Sequence, residues 1–184
     1  MERAVLENNL KGLLTEKKAG LVKKWFEGVV ATYPSDSASF LRNTAAQFTN
    51  PVGYTLSQGL EGIFDGLING MMPDAVIAFL DGMVRIRAVQ DFTPSQAVSF
   101  IFNIKKVIRE ELETEILSRN LGAELAEFDS AVDDLALFAF DLYMKCRERL
   151  YDIRAREAER ATFRLLQKAR LISGGEGQDE GGAR

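Results

Sequence analysis

RIRAVQDFTPSQAVSFIFNIKKVIREELETEI, Arg85 to Ile116, contains a helix end, a helix start and a complete amphipathic period. From Ala97 onward the apolar residues recur at three and four: Ala97, Phe100, Ile101, Ile104, Val107 and Ile108 share one face, which is the pattern of an α-helix. Just before them Thr93, Pro94 and Gln96 form T-x-x-Q. Thr93 suits the N-cap, Pro94 the first helical position, and Gln96 the reciprocal partner of a capping box. Asp91 adds negative charge close to the positive end of that helix. Upstream, MPDAVIAFLDGMVRIRAVQ is a further helix with Pro73 near its first turn. Asp81 precedes Arg85 by four and Arg87 precedes Asp91 by four, so local ion pairs are available to both arginines. Arg85 and Arg87 stand two apart and point in nearly opposite directions. One can face water while the other lies against the fold or a partner, which makes this pair the candidate partner contact. The rest of the polar cluster is helix punctuation.

The same period extends in both directions, and no sustained alternation of period two interrupts it. LLTEKKAGLVKKWFEGVVATY puts Leu14, Leu21, Val22, Trp25, Phe26, Val29 and Val30 on one face, and Tyr33-Pro34 ends it. Ser35 or Asp36 is placed to cap a short helix carrying Phe40 and Leu41. In TNPVG, Asn50 suits an N-cap and Pro51 the first helical position. GYTLSQGLEGIFDGLING then carries Gly59, Gly62, Gly66 and Gly70 on one stripe. Each mid-helix glycine costs ~1 kcal/mol against alanine, so something must offset it. A close helix crossing is the favoured reading, and a ligand groove the alternative. Met71-Met72 reads as gap filler at a junction, or as a pliable binding surface.

Downstream, Leu121, Leu125, Phe128, Val132, Leu135, Ala139, Leu142 and Cys146 step by four and three, a heptad seam. Phe138, Phe140 and Tyr143 widen its apolar surface, so this helix is expected to serve both the core and a partner. Leu135, Leu142 and Cys146 are the candidate dimer interface. A redox role for Cys146 beside Arg147 and Arg149 is the alternative to an interface or core role. Ala155, Ala158, Thr162, Leu165, Ala169 and Ile172 carry a weaker seam, and neither Pro nor Gly interrupts Ala123 to Ile172. One helix of that length spans ~75 Å, more than a domain of this size is wide. Its end must project, bend back or pair with a second chain. Its interleaved charges are those of a solvated or coiled-coil helix. SGGEGQDEGGAR reads as a disordered tail. The organisation expected is one helical domain over 1–150, a helical extension over 151–172 and a tail over 173–184.

Composition narrows the function. The 184 residues are 46% apolar, with twelve Phe and one Trp, enough for a real core. The net charge of −4 and pI near 5.1 give no sign of a nucleic-acid surface. No stretch reaches the ~18 apolar residues of a membrane span, and MERAVLENNLKG lacks the apolar region of a signal peptide. A single cysteine allows no intramolecular disulfide and suits a reducing cytoplasm. There is no histidine. That removes the commonest general base, the commonest transition-metal ligand and the usual proximal ligand of haem. Ser-His and Cys-His nucleophiles are impossible. The expectation is a protein without catalytic residues, cofactor or metal.

QFTNPVGYTLSQGLEGIFDGLINGM, followed by LDGMVRIRAVQDFTPSQAVSFIFNIKK, resembles the amino-terminal domain of the RsbR-type co-antagonists of the RsbT kinase, the sensor proteins of the bacterial stressosome. The resemblance runs from the LLTEKKAGLVKKWFEGVVATYP helix to about Arg149. NPVG and RIRAVQDFTPSQA are its specific parts. It implies a globin-like helical bundle that holds no haem, forms dimers, and acts as a sensory or interaction module. Stressosome proteins join this domain to a STAS domain bearing the phosphorylated Ser/Thr; here a Gly-rich tail follows, and the expectation is a sensor domain standing alone. The resemblance brings no catalytic or ligand residue with it. The reading is a non-enzymatic signalling or adaptor domain with a homodimer and an unidentified protein partner. The alternative is a binding protein for a small apolar ligand, such as a fatty acid, in the haem-equivalent pocket.

Overall fold

A computed structural model describes residues 9–42, 50–90 and 92–168. Those residues form α1 (Leu10–Val30), α2 (Ser35–Leu41), α3 (Pro51–Asn69), α4 (Asp74–Val89), α5 (Pro94–Ser118) and α6 (Gly122–Lys168), with no strand among them. The chain is all-α, as its three-four periodicity requires. It divides into two compact units, 1–145 and 146–184.

In the first unit α1 is the central helix, packed against α3 and α5. All seven residues assigned to its apolar face are buried, Trp25, Val29 and Val30 completely. Trp25 also donates its indole N–H to the Phe100 carbonyl of α5 at 2.6 Å, so its one polar group is satisfied inside the core. The second side of the core is closed by α4, which packs on α3 and α5. The seam of α6 closes the third: Phe128, Val132, Leu135 and Ala139 are buried, and Leu125 and Leu142 half-buried. Each large apolar side chain taken fully out of water contributes about 1.5–3 kcal/mol before entropy is counted.

The helix ends follow local chemistry. Asn50 caps α3 by accepting from the Gly53 N–H at 2.9 Å and donates to the Phe40 carbonyl at 2.6 Å. Thr93 and Gln96 form the reciprocal capping box of α5, at 3.3 and 3.0 Å. At the other end of α5, Asn120 adopts a left-handed φ of 54°. The Leu121 N–H then reaches the Ile116 carbonyl and the Asn120 N–H that of Leu117, a Schellman motif that turns the chain into α6. One expectation is corrected: Pro34, not Ser35 or Asp36, occupies the N-cap position of α2, and Ser35 is its first helical residue. The expected Arg87–Asp91 pair and the role of Asp91 lie outside the described residues, as do Ala169, Ile172 and the tail.

The glycine stripe of α3 lets neighbouring side chains lie against bare backbone. The Phe79 ring of α4 occupies the space a Cβ on Gly59 would need, and Val76 lies 2.9 Å from that of Gly62. Met72 sulfur lies 2.5 Å from where Gly66 would carry one. Gly70 departs from the expectation of a fourth mid-helix glycine: at φ 65° it ends α3 in the left-handed conformation that glycine adopts without strain. Gly59→Ala should therefore lower stability by about 1–3 kcal/mol through overpacking, although alanine is the better helix former. Gly20→Ala, mid-helix in α1 with open space around it, should raise stability by up to ~1 kcal/mol. Urea denaturation of the two variants checks the opposite signs.

In the second unit, the α6 residues 151–168 are exposed except for half-buried Leu166. Arg147 lies over the Tyr151 ring at 5.0 Å and donates to its hydroxyl at 2.9 Å.

Candidate functional site

The α4–α5 junction gathers the most unusual polar chemistry among the described residues. Buried positions of α4 are Leu80, Met83, Val84, Arg87 and Ala88, so an arginine occupies the next core position after the Met83-Val84 pair. The Arg87 side chain has no exposed surface. Its guanidinium carbon lies 4.7 Å from the Phe100 ring centre and 5.2 Å from both Tyr33 and Phe92. Tyr33 and Phe92 meet each other at 5.9 Å with their planes tilted by 58°. Three aromatic faces thus surround the cation from the end of α1, the start of α5 and the loop between α4 and α5.

Hydrogen bonds fix its orientation. Nη1 donates to the Gln96 carbonyl and Nη2 to the Thr32 hydroxyl, both at 3.1 Å. Nε has no acceptor among the described residues, and none of the ion pairs there involves Arg87. Burial pushes its pKa below the ordinary arginine value, with Tyr33 opposing the shift. An arginine remains charged at neutral pH all the same. The interior therefore holds a full positive charge, stabilised by π-faces and neutral oxygens.

Phe92 ties the cage to α6. Its N–H donates to the Arg87 carbonyl at 3.2 Å. Its own carbonyl accepts from the hydroxyl of Tyr143, a buried α6 residue, at 2.5 Å. The chemistry of this junction is positional. It brings together no nucleophile and base, and no group of three metal-binding side chains occurs among the described residues.

The residues singled out in the sequence are distributed as follows. Arg85 is exposed and paired with Asp81 at 2.7 Å, while Arg87 is turned wholly inward. Of the two, Arg85 is the one that reaches the surface. Leu135 is 7% exposed and so is buried by its own chain, whereas Leu142 and Cys146 are half-buried. The cage itself was not foreseen. Tyr33, Phe92 and Phe100 are far from Arg87 in sequence or across a helix boundary. The one available signal was that Arg87 continues the inward face of α4.

The chain belongs to the RsbT co-antagonist protein rsbRD N-terminal domain family, whose profile matches residues 19–158, from within α1 to within α6. A relative from Archaeoglobus fulgidus, an uncharacterized protein, is 26% identical over 153 residues, covering 80% of this chain and 88% of its own. No solved structure matches. No helix among the described residues is long and apolar enough to cross a membrane.

Arg87→Lys should destabilise the fold by about 2–3 kcal/mol, because an ammonium keeps the buried charge but loses the planar fork and the stacking. Arg87→Met should cost less, since it keeps apolar contact with the rings and removes the charge. The lysine variant carries a second signature. Burial lowers the folded-state pKa of a lysine, so above that value the unfolded chain binds more protons than the folded one. Its deficit against wild type should shrink as pH rises towards about 10. Denaturant titrations across pH test both orders.

Proposed function

We propose that the protein is a non-enzymatic, globin-like sensory or adaptor domain that works in the cytoplasm through dimer packing and protein–protein contacts. The observation that carries this reading is membership of the RsbT co-antagonist domain family over 19–158. The residues support it. Without histidine, acid–base and metal chemistry lose their usual instruments. The α4–α5 junction ties α1, α4, α5 and α6 together through packing and hydrogen bonds, so a signal that alters one helix is opposed or transmitted by the others.

The dimer of this proposal uses α6, with Leu142 and Cys146 at the contact. Leu135 belongs to the same seam but is already covered within its own chain, so it supports the fold first. In a twofold interface the same residue lies near its mate, and a buried unpaired carboxylate there is costly. Leu142→Glu should give a folded monomer, and Leu135→Glu an unfolded chain. Sedimentation with circular dichroism reads both. A wild-type chain that stays monomeric at micromolar concentration rejects the dimer.

The second reading, a carrier of a small apolar ligand, is favoured by a groove of about 390 Å³ between α3 and α4, lined chiefly by Val52, Leu56, Phe79, Met83 and Ile86. Pockets of about 300–1,000 Å³ suit small molecules. Titration with a fluorescent fatty acid should give saturable, one-to-one binding that Met83→Glu abolishes. Signal that is non-saturable or unmoved by the substitution removes this reading.

A further inference from the structure

Two adjoining grooves run along the first part of α6. One, of about 340 Å³, lies between the end of α3 and α6 and is lined by Met71, Met72, Ile77, Asp134, Leu135 and Phe138. The other, of about 370 Å³, lies between the start of α1 and α6, with Leu10, Leu14, Glu124, Glu127 and Phe128 on its walls. They share Leu67, Gly70 and Ala131, so they form one trough. From Glu124 to Phe138 it follows α6 for ~20 Å, the length of about fourteen helical residues.

The trough is amphipathic. Met71 is 70% exposed and Phe138 41%, a large apolar surface left open to water. Met is the side chain best able to remould itself against varied apolar partners. On the α6 side stand Glu127 and Asp134, seven residues and about two turns apart on one face. Both are exposed, and neither takes part in an ion pair among the described residues. Glu124 is already engaged, accepting from the Leu10 N–H at 2.7 Å, and Lys11 is the one cation on the wall among the described residues. Residues 1–145 as a whole carry twenty acidic against fourteen basic side chains.

We infer that this trough docks an amphipathic helix of a partner protein, with apolar residues on one face and Lys or Arg flanking them. The inference rests on the adaptor reading above and names the partner's chemistry. Length, apolar floor and spaced carboxylates all match such a helix, in which residues seven apart return to the same face. An anionic lipid surface would be repelled by the same carboxylates.

The probe is a fluorescein-labelled, eighteen-residue Leu/Lys peptide with leucines at helical spacing, titrated into the full chain and read by anisotropy. Two controls are a scrambled peptide and one with Glu in place of Lys. The patterned basic peptide should bind at least tenfold more tightly than either control. Glu127→Lys with Asp134→Lys should weaken it at least tenfold, and Met71→Ser several-fold, with unchanged circular dichroism. Glu113→Lys, which lines neither groove, should leave binding intact. Equal binding of the scrambled peptide, indifference to the double reversal, or equal loss with Glu113→Lys overturns the inference. So does a wild-type dimer that Phe138→Ser dissociates, because the trough is then occupied by a second copy. Absence of peptide binding beside a dimer sensitive to Leu142→Glu rejects the docking site alone and leaves the adaptor reading standing.

Discussion

Arg87 carries a full charge in a helical interior where its neighbours among the described residues are three aromatic rings, a carbonyl and a hydroxyl. Taking such an ion out of water costs several kcal/mol even after the surroundings relax. Desolvated cation–π contacts return up to about 2 kcal/mol each, and hydrogen bonds from a charged donor about 1.5–3 kcal/mol each. The balance closes only while all of these contacts are made together. Tyr33 beyond α1, Phe92 before α5 and Phe100 within α5 are therefore held to one arrangement by one side chain of α4. An apolar residue in place of Arg87 would tolerate sliding of these helices; a cation between aromatic faces does not.

Phe92 extends that constraint. Its ring is one wall of the cage, its N–H closes the end of α4, and its carbonyl accepts from Tyr143. The loop between α4 and α5 is short, and α5 begins at once with a satisfied capping box and a proline. From Phe92 into that capping box the backbone has little freedom, so a shift of Tyr143 bears directly on Phe92. Packing on the opposite side is equally unforgiving. Phe79 and Val76 of α4 lie against glycine backbone in α3, so α4 has close contacts on one flank and the cage on the other.

Much of this was legible in one dimension. The three-four period identifies the helices because a helix buries one stripe, and every residue the period selects in α1 and α5 is buried, with Leu10, Leu13, Val98, Leu112 and Ile116 buried beside them. Thr93-Pro94 and Asn50-Pro51 mark helix starts because capping is local chemistry, complete within four residues. The seam of α6 was visible too, but which residues the chain covers by itself was not. Leu135 and Leu142 are one heptad apart and alike in pattern, yet Leu135 is buried and Leu142 only half-buried. Leu135 lies beside Leu67, Met72 and Ile77, neighbours brought there by folding, which periodicity does not record. The cage was hidden for the same reason: Tyr33 and Arg87 are joined by folding alone. Gly28, against whose backbone the Asn103 side chain packs, is another long-range contact with no local mark.

The division of labour along α6 follows from these contacts. One face of the helix is committed to the interior through Val132, Leu135, Ala139 and Tyr143. Leu137, Phe138, Phe140 and Met144 on the same turns are left exposed. Exposing four large apolar side chains within two turns is unfavourable for a chain that has no use for them, since an isolated domain gains nothing from apolar surface in water. The buried face is tied through Tyr143 and Phe92 to the Arg87 cage. The exposed face offers surface to whatever binds it. A molecule covering the second face acts on the same rigid helix as the first, and only its differential affinity for two positions of that helix can move the cage. A displacement of α6 that broke the Tyr143 hydrogen bond would bear first on Phe92 and, through its ring and N–H, on Arg87.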